Sequence, residues 1–504
     1  MSNAAHLVRD HAESRPDALA LREGEREWSF AALHASVGDA VAQLRERGVG
    51  PGDRVLMVVP TSAEFVIAYH AVLSIGATAV TVNPLCTARE LGYFLEDSGA
   101  TTALGWHESA PPVQQAADEA GVSTWLLESG LFGEGEPVEP APAETDAAAV
   151  LLYTSGTTGR PKGAVLTHGN LLSCGAALAE SLQLVPEDAM GTALPLFHVF
   201  GQAAVMYSAY SVGASLTLAR PFDPATMLAL AARHRLTALA GVPTMWNAML
   251  HAETEVTRED LADLRLACSG GAALPLEIAR AFKERFGATV LDGYGLSETT
   301  GAATFSSAAF PRKEMSVGRA LPGLELAILG DDREPLPPGE TGEVAITGPV
   351  VMREYWNRPE ATAEVRHGRW FLTGDIGRMD ADGDLWIVDR KKDLVIRGGY
   401  NVYPREVEEL LFAHPAIREA AVIGVPDERL GEELAAVVAL QPGQQVEPAE
   451  LRAWLGEQLA DYKVPRIYTV VDELTKGATG KILKRGLDRD EISRDGVRPP
   501  RTTG

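Results

Sequence analysis

The segment from Tyr153 to Gly163 constrains this chain more strongly than any other stretch. It has the sequence YTSGTTGRPKG and directly follows the apolar run from Ala147 to Leu152, a pattern that predicts a strand entering an anion-binding loop. Glycines let the backbone approach a phosphate, while hydroxyls and backbone N–H groups are neutral donors. Lys162 adds a positive charge. The segment therefore predicts a nucleotide triphosphate as ligand.

The spacing within this loop differs from the Walker pattern G-x-x-x-x-G-K-[ST]. Arg160 and Pro161 separate Gly159 from Lys162, and a glycine follows the lysine. This disfavours a P-loop kinase or ATPase. The remaining alternative is an ordinary polar surface loop rich in glycine, serine and threonine.

The rest of the chain indicates an α/β protein of more than one domain. From Trp28 to Pro84, helical and strand-like patterns alternate, which is typical of βαβ units. A chain of 504 residues exceeds the size at which one core keeps growing. From Gly323 onward shorter strands and turns follow, and we place a domain boundary near residue 390. The charged, proline-containing end from residue 489 predicts disorder.

The overall charge excludes two classes of partner. With 69 acidic and 45 basic residues, the formal net charge is -24. A nucleic acid backbone or an anionic membrane is therefore a poor general partner.

No stretch approaches eighteen continuous apolar residues, and the N-terminus has no signal-like apolar segment. We expect a cytoplasmic protein without an integral membrane segment, either monomeric or homodimeric.

Eight motifs occur in an order that resembles one known group of enzymes. They are YTSGTTGRPKG, LPLFHVFG, SGGAALP, YGLSE, GETGEVA, TGD, DRKKDLVIRGGYNVYPREVE and GKILKR. Together they resemble the adenylate-forming superfamily of acyl-CoA synthetases, luciferases and nonribosomal adenylation domains. Within it, the chain is most similar to the bacterial fatty-acid CoA ligases, and the resemblance spans nearly the whole sequence.

The resemblance implies a two-domain architecture. A large N-terminal domain of residues 1–390 would consist of α/β sheets and a distorted β-barrel. Residues 391–392 would form a hinge, with Lys392 as the pivot. A small, mobile α+β domain of residues 393–504 would carry the catalytic lysine.

The resemblance also implies a nucleotide site and three cofactors: ATP, Mg²⁺ and coenzyme A. Asp375 would accept the ribose hydroxyls, with Arg390 beside it, while Glu298 and Thr154 would bind Mg²⁺. The other residues expected to bind ATP or the adenylate are Ser155, Gly156, Thr157, Thr158, Lys162, Gly270, Gly271, Ala272, Ala273, Asp292, Gly293, Tyr294, Gly295 and Ser297.

Four residues have implied catalytic roles: Lys481, Glu298, His198 and Thr154. Lys481 would bridge the attacking carboxylate and the α-phosphate, and His198 would act as a gate or stabilise the transition state. Without its motif, His198 would more often be interpreted as a structural histidine. Arg397, Gly398 and Gly399 would line a tunnel for the pantetheine arm of coenzyme A after the small domain rotates.

The acid pocket is expected to be apolar. Its implied lining residues are Phe197, Phe200, Gly201, Val242, Trp246 and Leu296. The three segments that supply these residues are 197–207, 241–246 and 293–296. They contain no arginine to pair with a second carboxylate and no aspartate to bind an amino group, which disfavours malonate and amino acids as substrates. A medium or long fatty acid, or a bulky apolar acid, fits better.

The loop before Lys481 departs from the family pattern. Thr475 stands where the family usually has proline, and Gly477 stands where it usually has a hydroxyl residue. A looser loop could impair adenylation, so one alternative is an enzyme specialised for thioester formation from a preformed adenylate. The others are an acyl-AMP ligase loading a carrier protein, a luciferase-like oxygenase and a nucleotide-binding regulator.

Overall fold

The computed structural model of the protein describes residues 3–154, 160–307, 309–477 and 480–499. In chain order, its α-helices are α1 (His6–Ser14), α2 (Phe30–Glu46), α3 (Ala63–Ile75), α4 (Ala88–Ser98), α5 (Ala110–Ala120), α6 (His168–Ser181), α7 (Tyr207–Val212), α8 (Pro224–Arg233), α9 (Pro243–His251), α10 (Leu276–Phe286), α11 (Pro359–Glu364), α12 (Pro404–Phe412), α13 (Pro448–Gly456) and α14 (Arg489–Asp495). A π-helix, Phe200–Met206, precedes α7.

The strands alternate with these helices through most of the chain. They are β1 (Leu19–Glu23), β2 (Arg26–Ser29), β3 (Arg54–Val58), β4 (Thr78–Thr81), β5 (Thr102–Trp106), β6 (Ser123–Leu127), β7 (Ala148–Thr154), β8 (Lys162–Thr167), β9 (Ala189–Thr192), β10 (Ser215–Leu218), β11 (Ala238–Gly241), β12 (Leu266–Ser269), β13 (Val290–Tyr294), β14 (Thr304–Phe305), β15 (Arg319–Ala320), β16 (Glu325–Leu329), β17 (Thr341–Thr347), β18 (Glu354–Tyr355), β19 (Arg366–His367), β20 (Trp370–Met379), β21 (Leu385–Arg390), β22 (Val395–Arg397), β23 (Tyr400–Val402), β24 (Ile417–Asp427), β25 (Gly431–Leu440) and β26 (Ile467–Val471).

Two large sheets form the body of the N-terminal region. One has the strand order β15-β14-β13-β12-β11-β9-β10-β1-β2, and the other has the order β18-β8-β7-β4-β3-β5-β6. Most neighbouring pairs near their centres are parallel, as the alternating pattern predicted. Every residue of α3 is buried, because this helix lies inside the largest hydrophobic core.

A third sheet is antiparallel. Its order is β16-β17-β20-β19, and β21 pairs with the far end of β20. The resemblance implied a distorted barrel within the N-terminal domain without placing it in the chain. Among the described strands, no pairing joins β16 to β19, so this sheet is open.

The C-terminal region has its own sheet and core. The strand order is β23-β22-β25-β24, with β26 paired to β25. One face packs against α12 and α13 through residues such as Val407 and Leu455. The third sheet ends at Arg390 and this sheet begins at Val395, which is compatible with the predicted boundary. Rotation about Lys392 stays a prediction.

The prediction of disorder from residue 489 is wrong for residues 489–499. Asp488 accepts hydrogen bonds from the backbone N–H groups of Asp490 and Glu491 and so caps α14. Ile492 is buried in the second core of the C-terminal region. The charged composition of this segment gave no sign that Ile492 would be buried and would hold the helix against the core.

Side-chain caps begin several of the helices. Thr87 and Glu90 form a capping box at α4. Asp223 accepts a hydrogen bond from the backbone N–H of Thr226 at 2.7 Å and caps α8. Within the described part of the chain, no helix is both long and apolar enough to cross a bilayer.

Candidate active site

A cavity of about 920 Å³ lies where the carboxyl ends of β7, β12 and β13 meet the third sheet and the C-terminal region. Binding at this edge of parallel strands is usual for α/β folds. The predicted residues that line it are Thr154, Lys162, Phe197, His198, Phe200, Gly201, Val242, Gly270, Gly271, Gly293, Tyr294, Gly295, Leu296, Ser297, Glu298, Asp375, Arg390, Lys392 and Lys481. Residues that are far apart in sequence thus share one cavity.

Several predicted site residues are not among the residues that line this cavity. They are Ala272, Ala273, Asp292, Trp246, Arg397, Gly398 and Gly399. Asp292 is buried behind the wall, where desolvation raises the pKa of its carboxyl group to about 7. Ser155, Gly156, Thr157 and Thr158 lie outside the described residues.

Asp375 is the most firmly held acceptor in the cavity. Its side chain is buried, accepts a hydrogen bond from the Tyr294 hydroxyl at 2.6 Å and forms an ion pair with Arg390 Nε at 3.2 Å. Asp375 and Arg390 are register partners on β20 and β21. The carboxylate, the guanidinium and the phenol therefore form a fixed polar cluster suited to a ribose, because a carboxylate accepts bonds from vicinal hydroxyls.

Glu298 lines the same cavity as Asp375. It belongs to the 3₁₀ turn Ser297–Thr299, and its Oε1 accepts a hydrogen bond from the Tyr355 hydroxyl at 2.7 Å. Burial and the nearby Glu298 raise the pKa of Tyr355 well above its usual range, so the phenol stays a donor. Tyr355 was missed by the sequence analysis, although its segment REYWN is conspicuously aromatic.

The antiparallel hairpin of β7 and β8 positions Thr154 and Lys162, which lie at the two ends of the predicted anion-binding loop. Thr154 and Lys162 are register partners on either side of the loop. The Lys162 ammonium lies 5.3 Å from the centroid of the Tyr355 ring. A carboxylate, a hydroxyl and phosphate oxygens are the hard ligands that Mg²⁺ prefers, so Glu298 and Thr154 fit the expected ion.

His198 is a neutral imidazole at physiological pH. Desolvation, together with the positive charge of Lys481, lowers the pKa of this half-buried histidine to about 4. Its Nδ1 accepts a hydrogen bond from the backbone N–H of Phe200 at 3.2 Å, which leaves the proton on Nε2. His198 can therefore act as a neutral donor or as a gate, but not as a fixed positive charge.

Lys481 reaches the cavity from the C-terminal region. The preceding Gly480 has a φ of +76° and packs so closely on α9 that a Cβ would lie 2.5 Å from Thr244 Oγ1. This close approach requires glycine. The Lys481 side chain is open to the cavity, yet the surrounding protein partly desolvates its ammonium, and Arg390 repels it. Together they lower the pKa of Lys481 to about 8.

The pKa of Lys481 predicts an alkaline limit on adenylation. The ammonium is charged below about pH 8 and neutral above it, so kcat/KM for pyrophosphate exchange should fall as pH rises through about 8. In Lys481→Arg, whose guanidinium stays charged, the overall rate should be lower but this decline should disappear. An unchanged alkaline limb in the arginine variant would assign it to another group.

The loop that delivers Lys481 is closed by hydrogen bonds on both sides. The backbone N–H of Gly477 donates to the Lys481 carbonyl at 2.8 Å, and the N–H of Leu483 donates to the Thr475 carbonyl at 2.8 Å. A Cβ at Gly477 would meet only Leu483, at 3.4 Å. Thr475 and Gly477 are thus compatible with an ordered hairpin, although Ala478 and Thr479 lie outside the described residues.

Lys476 anchors this hairpin to the sheet. Its ammonium bonds to Glu419 at 2.7 Å and Glu473 at 2.8 Å, and Glu419 also accepts a bond from the Leu474 N–H. We expect Lys476→Ala to lower adenylation about tenfold, because small misplacements of a catalytic group are costly. Thioester formation from supplied acyl-AMP should change little. Equal losses in both half-reactions would contradict a role confined to positioning Lys481.

Trp246 does not line the acid pocket. It lies on the face of α9 that packs edge-on against Phe282, with ring centroids 5.1 Å apart, and is fully buried in the second hydrophobic core. Val242, at the start of the same segment, lines the cavity instead. Spacing along a helix did not reveal which face the tryptophan occupies.

The predicted tunnel residues lie away from the cavity in this conformation. The Arg397 side chain is buried, pairs with Glu433 at 2.7 Å and donates to the carbonyl of Tyr462 at 2.7 Å. It is therefore part of the C-terminal core and not a tunnel wall. Gly398 and Gly399 form the exposed turn between β22 and β23.

Comparisons with known proteins agree with this geometry. The model of the AMP-binding enzyme family matches residues 8–356, and that of the AMP-binding enzyme C-terminal domain matches residues 406–481. A feruloyl-CoA synthase of Amycolatopsis sp is 38% identical over 95% of this chain and 97% of its own length. A long-chain-fatty-acid–CoA ligase of Bacillus subtilis (strain 168) is 35% identical over 96% of this chain and 94% of its own length.

Solved structures give the same result at the level of the fold. A crystal structure of ATP-bound MatB from Rhodopseudomonas palustris has a TM-score of 0.91 and 32% sequence identity, covering 98% of this chain and 99% of that chain. These similarities include both the N-terminal body and the C-terminal region. The chain therefore belongs to the AMP-binding enzyme family, as an acid–thiol ligase that uses ATP, Mg²⁺ and coenzyme A.

Proposed function

We propose that this enzyme converts an apolar carboxylic acid into its CoA thioester through an acyl-adenylate. The observation that carries the proposal is one shared cavity in which Lys481 from the C-terminal region faces Asp375, Arg390 and Glu298 from the N-terminal body. An apolar wall that includes Phe197 continues from these polar groups. This arrangement can hold a nucleotide and an acid side by side.

In the first half-reaction, a carboxylate oxygen attacks the α-phosphorus of ATP and pyrophosphate leaves. Lys481 holds the two anions together and stabilises charge on the α-phosphoryl oxygens. Asp375 and Arg390 fix the ribose, and Lys162 contacts the leaving phosphates. Glu298 and Thr154 would hold Mg²⁺, which would neutralise part of the phosphate charge.

In the second half-reaction, the thiol of coenzyme A attacks the acyl carbon, AMP leaves, and the thiol proton passes to solvent or AMP. Lys481 occupies the cavity in the conformation described, so the small domain has to move before the thiol can enter. We infer a rotation near Lys392 that brings Gly398 and Gly399 to the acyl group. Their lack of side chains would admit the thin pantetheine arm.

The lining of the acid site supports an apolar substrate. Phe197, Phe200, Val242 and Leu296 give this described part of the lining an apolar surface. Burying a second carboxylate against such a surface without a cationic partner would be costly. The names of the two relatives point to an aryl acid in one case and a long-chain fatty acid in the other, and both types are apolar. The requirement for ATP and coenzyme A supports the expected cytoplasmic location.

The alternatives predict different products. An enzyme restricted to thioester formation would lack pyrophosphate exchange with its acid, whereas the hydrogen-bonded hairpin before Lys481 supports full adenylation. An acyl-AMP ligase would adenylate without consuming coenzyme A. A luciferase-like enzyme would need O₂, and a regulator would bind ATP without releasing pyrophosphate.

One assay separates these outcomes. A panel of fatty, aryl and dicarboxylic acids is incubated with ATP, Mg²⁺ and coenzyme A, and AMP and acyl-CoA are measured by mass spectrometry. We expect AMP and acyl-CoA in equal amounts for apolar monocarboxylic acids and none for malonate. Robust turnover of malonate, or AMP release without any thioester, would overturn the proposal.

A further inference from the structure

Asp97 is a nearly buried carboxylate near the end of α4, and it is not among the described residues that line the cavity. Its side chain is only 7% exposed. One carboxylate oxygen accepts a hydrogen bond from the Tyr153 hydroxyl at 2.8 Å, and the other accepts one from the Arg358 guanidinium at 2.5 Å. The Asp97 backbone carbonyl accepts a bond from the indole N–H of Trp356 at 3.0 Å. One residue thus binds two segments that are distant in sequence.

These contacts connect Asp97 to both ends of the predicted anion-binding loop. Tyr153 directly precedes Thr154 at the end of β7, and both residues line the cavity. Trp356 makes the connection to the other end of the loop. Besides its bond to Asp97, its backbone N–H donates to the Gly163 carbonyl at 2.7 Å. The two strands that carry the loop are therefore held through a single side chain and its own carbonyl.

A second residue of α4 binds the loop directly. Tyr93 lies one helical turn before Asp97, and its hydroxyl donates to the Pro161 carbonyl at 2.7 Å. The Tyr93 ring centroid also lies 5.6 Å from the Arg160 guanidinium. The end of α4 therefore forms the base on which the segment leading to Lys162 rests.

A carboxylate suits this position because it has to hold two donors at once. Burial and the nearby Asp97 charge raise the pKa of Tyr153 well above its usual range, so the phenol stays a donor. The Arg358 guanidinium can only donate. An asparagine would accept at one atom and present an NH₂ group at the other, which would then face either the phenol or the guanidinium as donor against donor.

We propose that Asp97 is a positioning residue for the β- and γ-phosphates of ATP, because it holds the ends of the loop so that Thr154 and Lys162 meet the phosphate oxygens. It acts through these residues and does not itself touch the nucleotide. The inference rests on the proposed function, which places the leaving phosphates at Lys162. Asp97 should therefore matter for ATP, and not for AMP or an acyl-adenylate, which lack these two phosphates.

The test compares the binding of ATP and of AMP, each with Mg²⁺, by isothermal titration calorimetry of the full chain. In Asp97→Asn we expect the Kd for ATP to rise about tenfold, the usual size of one lost charge-assisted hydrogen bond. The Kd for AMP should change less than twofold, and thioester formation from supplied acyl-AMP should keep its rate. Tyr153→Phe, which removes only the hydroxyl, should show the same selectivity with an increase of about threefold in the Kd for ATP.

Asp188→Asn is the matched control. Asp188 is also a buried aspartate that pairs with an arginine, Arg265, and it accepts a bond from the Thr237 hydroxyl at 2.6 Å. It is not among the described residues that line the cavity. Its replacement should lower the unfolding temperature and leave the ratio of the two Kd values unchanged.

Two results for Asp97→Asn would overturn the inference: equal weakening of ATP and AMP binding, or no change in either. If that variant does not fold, Tyr153→Phe decides, and an unchanged Kd for ATP in it would also overturn the inference. Lys162→Ala tests the proposed function separately. An unchanged ratio of Kd values in Lys162→Ala would refute the placement of the phosphates. Selective weakening of ATP in Lys162→Ala alone would retain that placement and refute only the role of Asp97.

Discussion

Replacing Lys481 by alanine is expected to reduce acid-dependent pyrophosphate exchange by about 10²- to 10³-fold, the usual cost of removing one preorganised group that stabilises transition-state charge. Formation of the thioester from chemically supplied acyl-AMP should stay within about threefold, because that step needs the lysine out of the cavity. The two half-reactions are measured separately, by exchange of labelled pyrophosphate and by acyl-CoA formation without ATP.

Lys463→Ala is the matched control for this experiment. Lys463 also lies in the C-terminal region, but its ammonium bonds to Glu406 and does not line the cavity. Both half-reactions should be unaffected in this variant. If Lys481→Ala lost both half-reactions to the same extent, the lysine would be needed for the conformation of the domain and not for adenylation.

Asp375→Asn is expected to lower kcat/KM for ATP by about 10²-fold. The amide is neutral, so it loses the charge-assisted bonds to the two ribose hydroxyls, each of which contributes substantially. It also leaves Arg390 without its carboxylate partner. Because AMP remains bound until the thioester forms, use of supplied acyl-AMP should fall as well. This joint loss distinguishes Asp375 from Lys481.

A suitable control is Asp384→Asn. Asp384 is a buried carboxylate in the turn between β20 and β21, where it pairs with Lys313 and Arg319. Its replacement should lower the unfolding temperature without raising the KM for ATP. If Asp375→Asn changed only the unfolding temperature and left kcat/KM for ATP intact, the role in ribose binding would be refuted.

Local sequence signals predicted local structure well. The apolar run before the loop forms β7. Thr87 and Asp223 are residue types typical of N-caps, and they cap α4 and α8. These features depend on residues close together in the chain, so the sequence contains all the information they need. The resemblance implied that Asp375, Glu298 and Lys481 serve one site. The three residues line the same cavity, and their roles in binding and catalysis stay predictions.

Features that depend on distant partners were missed. Tyr355 is 57 residues from Glu298, and nothing near either residue indicates that the phenol bonds to the carboxylate. The resemblance implied that Arg397 lines a tunnel, but in the structure its side chain pairs with the buried Glu433, which lies on another strand. In each case, tertiary packing decides the role.

The arrangement of the C-terminal sheet has a consequence for the timing of catalysis. Both β22, which leads into the glycine turn, and β26, which leads into the lysine hairpin, pair with β25, and the Arg397–Glu433 ion pair ties the turn to that strand. Under the proposed rotation, the glycine turn and the lysine hairpin would move together. Bringing the turn to the cavity would therefore take Lys481 out of it. Such a rotation would admit the acceptor thiol only after Lys481 has left the cavity, because the turn and the hairpin are both attached to β25.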